Sequence, residues 1–117
     1  MFLANVCKDA KTTTLHNDGA ADGSATTITL VATAGQVWVV DTIFFSYSAA
    51  PAAGATLAVT INGVTVFKHA VTAGGLGFAP ARSANDEGFY GNKNEAVVVT
   101  LSAGGGVIQG RLTVKYR

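Results

Sequence analysis

Along Val107 to Arg117 the chain alternates without a break. Ile108, Gly110, Leu112, Val114 and Tyr116 fall on one side of an extended backbone, and Gln109, Arg111, Thr113, Lys115 and Arg117 fall on the other. One side of that strand must be buried. Similar runs rich in Val, Ile, Thr and aromatics recur between turn signals, and no stretch holds a helical 3.6-residue period for three turns. The pattern predicts strands over Leu3 to Lys8, Ala25 to Ala32, Gln36 to Ser48, Thr56 to Ile61, Val64 to Val71, Leu76 to Ala79, Gly88 to Tyr90, Ala96 to Ser102 and Val107 to Tyr116. About eight strands in one short chain give an all-β, antiparallel β-sandwich of jelly-roll-like form. Glu95 to Ala103, the run Gly104-Gly105-Gly106 and Val107 to Arg117 read as a long C-terminal β-hairpin.

The sharpest local signal is Asn62-Gly63 between two apolar runs, because a type I′ turn needs positive φ at both central residues. Gln36 to Ser48 is less ordinary. Val37, Val39, Ile43, Phe45 and Tyr47 share one face with Asp41, while Trp38, Val40 and Phe44 share the other, so both faces are apolar. A sandwich strand normally has a polar outer face, which makes Trp38, Val40 and Phe44 the expected contact with a second subunit.

At 117 residues the chain is one domain over 1–117, and the polar, turn-rich stretch 1–24 reads as an N-terminal arm. Charged residues are only 13% of the chain, about half the usual share, and apolar residues reach 49%, much of it alanine in loops such as Ser48 to Ala55. Part of this weakly charged surface is expected to meet another protein. A net charge of +1 without any dense cluster of Lys and Arg argues against nucleic acid. Nothing approaches a membrane span, the N-terminus does not have the form of a signal peptide, and no Asn-X-Ser/Thr acceptor occurs. The expected picture is a protein made in a cytoplasm, with no membrane partner.

Chemistry is sparse. Cys7 is the lone cysteine and reads as a small core residue. His16 and His69 are not in a ligand-spaced cluster, so no metal and no cofactor is expected. Asn17, Asp18, Gly19, Asp22 and Gly23 have oxygen donors but lack EF-hand spacing, and Asp-Gly is ordinary turn chemistry. Asp41, a carboxylate inside the most apolar strand, lacks the second carboxylate a general acid–base pair requires, and an Arg or backbone amides are its expected partners. No catalytic residues emerge. Phe89 and Tyr90, in Gly88-Phe89-Tyr90-Gly91-Asn92, are the aromatic pair most suited to contacting a glycan.

The run Gly35-Gln36-Val37-Trp38-Val39-Val40-Asp41-Thr42-Ile43, the hairpin Val59 to Phe67, the segment Gly77-Phe78-Ala79-Pro80 and the ending from Gly91-Asn92-Lys93-Asn94-Glu95 to Tyr116 resemble small jelly-roll structural proteins of tailed bacteriophages, of the capsid decoration or cement kind. The resemblance implies a non-enzymatic virion protein, a homotrimer on the capsid surface, with the major capsid protein as its partner. The other function to be weighed is a carbohydrate- or receptor-binding β-sandwich module of a virion.

Overall fold

The structure, a computed structural model, describes residues 13–20, 23–79 and 89–117. The strand expected at Leu3 to Lys8, Cys7 within it, Asp22 and the loop Arg82 to Gly88 lie outside the described residues. The strands are β1 (Thr13–Asn17), β2 (Thr26–Leu30), β3 (Val39–Tyr47), β4 (Thr56–Ile61), β5 (Val64–Ala70), β6 (Gly77–Ala79), β7 (Phe89–Tyr90), β8 (Val97–Leu101) and β9 (Gly110–Tyr116), with no helix among the described residues. The all-β expectation holds.

The strands form two antiparallel sheets. One runs β1-β9-β3-β6, with β7 beside β3, and the other runs β2-β8-β4-β5. With the two-residue β7 set aside, the first strand pairs with the last, the second with the second-last, β3 with β6, and β4 with β5. Successive pairs alternate between the two sheets. A long hairpin rolled up in this way is the jelly roll. The sheets meet over Ile43, Leu57, Val59, Val97, Val99, Leu101, Leu112 and Val114, all fully buried. Each such side chain contributes roughly 1.5–3 kcal/mol through removal from water, and that apolar layer holds the sheets face to face.

Three expectations need correction. First, β8 and β9 are not a hairpin: they sit in opposite sheets, and the segment 102–109 carries the chain from one to the other. The alternation of each strand is as expected, but each is paired on both sides with strands distant in sequence. Glycine is needed at this crossing because a Cβ on Gly104 would lie 2.8 Å from Ile108 and 2.9 Å from Tyr47.

Second, a β-bulge resets the faces of β3. Val40 pairs with Tyr116 and Thr42 with Lys115, so Asp41 is the extra residue. The parity of the strand changes there, and Val40 joins Ile43, Phe45 and Tyr47 in the core, fully buried. It is therefore not available to a subunit contact. Third, the proposed arm is not wholly an arm: Thr13 to Asn17 form β1, paired residue by residue with β9 from Tyr116 to Leu112.

The Asn62-Gly63 turn has φ of 49° and 80°, as a type I′ hairpin requires, and it joins β4 to β5 with Ile61 opposite Val64.

Candidate functional site

The outer face of the β1-β9-β3-β6 sheet brings His16, Asp18, Arg111 and Lys115 close to one another. Because β9 alternates, Leu112 and Val114 point inward and Arg111, Thr113 and Lys115 point outward. Register then decides their neighbours. His16 of β1 lies opposite Thr113, and Thr113 lies opposite Phe44 of β3, while Ser46 lies opposite Arg111.

His16 is held from two sides. Its Nδ1 is 2.6 Å from the Thr113 hydroxyl, and its Nε2 is 2.6 Å from Asp18 Oδ1. Arg111 Nε approaches the same carboxylate oxygen at 3.7 Å. Lys115 places its ammonium 5.8 Å from the centre of the Phe44 ring. Beside this group lies a shallow depression of about 200 Å³ lined by His16, Phe44, Phe45, Ser46, Leu76, Arg111 and Thr113. A second, of about 190 Å³, opens over Phe45, His69 and the turn from Ala70 to Gly77.

Carboxylate, imidazole and hydroxyl in series have the composition of a nucleophilic relay. The surroundings do not complete one. Thr113 lies in a strand paired on both sides, so the backbone amides around it are engaged in the ladders and cannot form an oxyanion hole. What the arrangement can do is present a guanidinium, an imidazole and two hydroxyls beside an apolar wall.

The other candidates are scattered. Trp38 is half-buried, donates its indole N–H to the Val31 carbonyl at 2.9 Å and meets Tyr116 edge-on at 5.4 Å, so it closes the end of the core. Phe44 faces outward beneath Lys115. Of the expected trio Trp38, Val40 and Phe44, the bulge leaves only Phe44 on the outer sheet face. Phe89 packs on the core, with its ring 4.9 Å from that of Phe67, whereas Tyr90 is 54% exposed. The two therefore do not form one exposed aromatic platform.

Phe67 stacks on His69, which also meets Phe45 edge-on, so this histidine belongs to an aromatic cluster along β5. Asp41 is paired with Arg117, as an Arg partner was expected. Asp18, the described carboxylate of the candidate calcium loop, is engaged by His16. Among the described residues no three His, Cys, Asp or Glu side chains come together as a metal site, and no helix is long and apolar enough to cross a membrane.

No family model matches this chain, and no curated protein matches its sequence. Its sequence singled out Asp18 and His16 separately, as loop donors and as a lone histidine. The join to Thr113, 97 positions away, comes only from the β1–β9 register.

Proposed function

We propose that this protein is a non-enzymatic structural protein of a phage virion, a decoration or cement protein that binds the assembled capsid and stabilises it. In this reading it is made in the host cytoplasm, acts as a homotrimer on the capsid surface and has the major capsid protein as its partner. One observation supports a protein-binding role above all. At one end of the sandwich the segments 48–55, 71–79 and 102–109 contain no Asp, Glu, Lys or Arg.

These segments belong together. Tyr47 N–H donates to the Gly74 carbonyl at 3.0 Å, Ala52 N–H to Gly104 at 2.8 Å, and Val71 N–H to Ala55 at 2.9 Å. The loops are thus tied to one another and present a fixed surface. Val107 is 80% exposed and Leu76 72% exposed. Depletion of charge, more than bulk hydrophobicity, marks the centre of a protein–protein contact. Preorganised, uncharged loops avoid both the ordering cost and the desolvation of charges on docking, and Asp18 of the neighbouring β1–β2 connection, whose backbone carbonyl accepts from Gln109, stands at their margin.

The test is co-sedimentation of purified protein with mature particles and, in parallel, with unassembled capsid subunits. Saturable binding to particles alone is the expected result. Binding to neither removes the reading, and equal binding to free subunits removes the claim that it recognises the assembled lattice.

A further inference from the structure

We infer that the depression on the outer face of the β1-β9-β3-β6 sheet is a binding site for a single sugar residue bearing a carboxylate, with Arg111 as the group that recognises the acid. This goes beyond the proposed role in capsid binding, whose uncharged loops share only Leu76 with the depression.

The chemistry of the lining selects the ligand class. Arg111 presents a planar guanidinium, more than half exposed, whose nearest anionic contact among the described residues is Asp18 at 3.7 Å, longer than a hydrogen bond. A carboxylate can take the fork of a guanidinium in a bidentate way that a surface pair of this length does not. Ser46 brings a hydroxyl to the same depression, and Thr113 another, which is already bonded to His16 and keeps one further hydrogen-bonding site. Those groups suit a ligand with several hydroxyls. Leu76 and Phe44 supply an apolar wall, which suits the C–H face of a sugar ring.

Other ligands fit less well. Asp18 lies against Arg111 and His16 and offsets part of the positive charge that Arg111 and Lys115 bring to this face, so the site lacks the concentrated positive charge that phosphates require. That carboxylate repels a doubly charged phosphate more than a singly charged acid, and the acid can take the guanidinium fork, which Asp18 approaches only to 3.7 Å. A purely apolar ligand would strip water from the exposed Arg111 guanidinium and leave it worse paired. The volume of about 200 Å³ is below the usual range for drug-sized ligands, so one ring is accommodated and not a long chain. Affinity for one ring is then expected on the order of millimolar, to be raised by repetition on a multivalent surface.

The experiment is a two-dimensional amide NMR titration of the full chain in the absence of particles, so that its failure is separate from any failure of capsid binding. The probes are N-acetylneuraminic acid and glucuronic acid, with galactose and inorganic phosphate in parallel. Saturable shifts at His16, Ser46, Arg111 and Thr113 with an acidic sugar, and none with galactose or phosphate, are expected. Arg111→Ala should weaken binding by about tenfold or more, the loss of one charged hydrogen bond, with amide shifts elsewhere unchanged. Equal binding of galactose means the acid is not recognised, and equal binding of phosphate means the site reads charge alone. Either result overturns the inference, as does unaltered affinity in Arg111→Ala or the absence of shifts with both acids.

Discussion

Arg117 closes on Asp41 across the end of the β3–β9 pair. The guanidinium Nε lies 3.2 Å from both carboxylate oxygens and Nη2 lies 3.2 Å from Oδ1, with the two side chains only 19% and 12% exposed. The backbones are joined at the same place: Val39 N–H donates to the Arg117 carbonyl at 2.8 Å, and Arg117 N–H to Val39 at 2.9 Å. The bulge that turns Asp41 out of step with the strand thus places its carboxylate where the end of β9 can meet it. Charge-assisted hydrogen bonds in such a site contribute about 1.5–3 kcal/mol. Arg117→Met should therefore lower unfolding free energy by about 2 kcal/mol in a denaturant titration, and Arg117→Lys, which lacks the fork, should recover only part of it. A loss under about 0.5 kcal/mol, the scale of an ordinary surface change, would mean that the pair is solvated and does not hold the strand end.

Gly63 is a position where only the backbone is at stake. Its φ is 80°, and a Cβ there would have nothing within 4 Å. Gly63→Val should destabilise by roughly 1–2 kcal/mol through the left-handed conformation alone. Gly63→Asn, a residue that tolerates positive φ, should recover most of the difference in thermal melts. If both substitutions cost the same, the cause is not the dihedral.

The legible parts of this fold were those decided by neighbours in sequence. Leu112 and Val114 announce their buried face through alternation, and Asn62-Gly63 announces its turn through φ. Parity across Asp41 was not legible, since a bulge inserts one residue without any composition signal, and that single residue moved Val40 from an expected interface into the core. The Gly104-Gly105-Gly106 run fits a local turn and a crossing between sheets equally well, so sequence alone does not separate a β8–β9 hairpin from the crossing. Strand β1 was missed because Thr13, Thr14, His16 and Asn17 are all polar and exposed, and Leu15 opposite Val114 is its one apolar contact toward the core. The candidate site was illegible for the same reason, as His16 meets Thr113 only through that strand.

Tyr47 ties stability to alkaline pH. Its hydroxyl donates to the Ser102 carbonyl at 2.7 Å, and burial pushes its pKa above the ordinary tyrosine value. The unfolded chain loses this proton near pH 10, while the folded chain holds it to higher pH. Its contribution is therefore fully present below about pH 10 and is lost as pH rises through the folded value. Melting temperature should fall across that window. Tyr47→Phe should be less stable at neutral pH through loss of the hydrogen bond, and should show a shallower alkaline decline; equal slopes in the two proteins would place the decline elsewhere.

The three uncharged loops give the most direct test of the proposed role, because they can be altered without touching the core. Ala53 and Val107 are exposed in segments 48–55 and 102–109, so Ala53→Asp and Val107→Asp should each leave the melting temperature within the small range of surface changes. If these loops form the centre of the contact, each new carboxylate must be desolvated on docking, at an effective cost of several kcal/mol unless the partner supplies a counter-charge. A cost of about 3 kcal/mol is more than a hundredfold in Kd. That loss propagates to the particle. A ligand of the assembled lattice stabilises it by about 2.7 kcal/mol per site at a hundred times Kd, and a hundredfold weaker variant at the same concentration retains only about 0.4 kcal/mol. Lys93→Glu, on the exposed β7–β8 connection at the other end of β8 from the uncharged segments, serves as the control. Particles incubated with Val107→Asp should lose both co-sedimenting protein and heat resistance, whereas those with Lys93→Glu should keep both. The reverse pattern would move the contact to the opposite end of the sandwich.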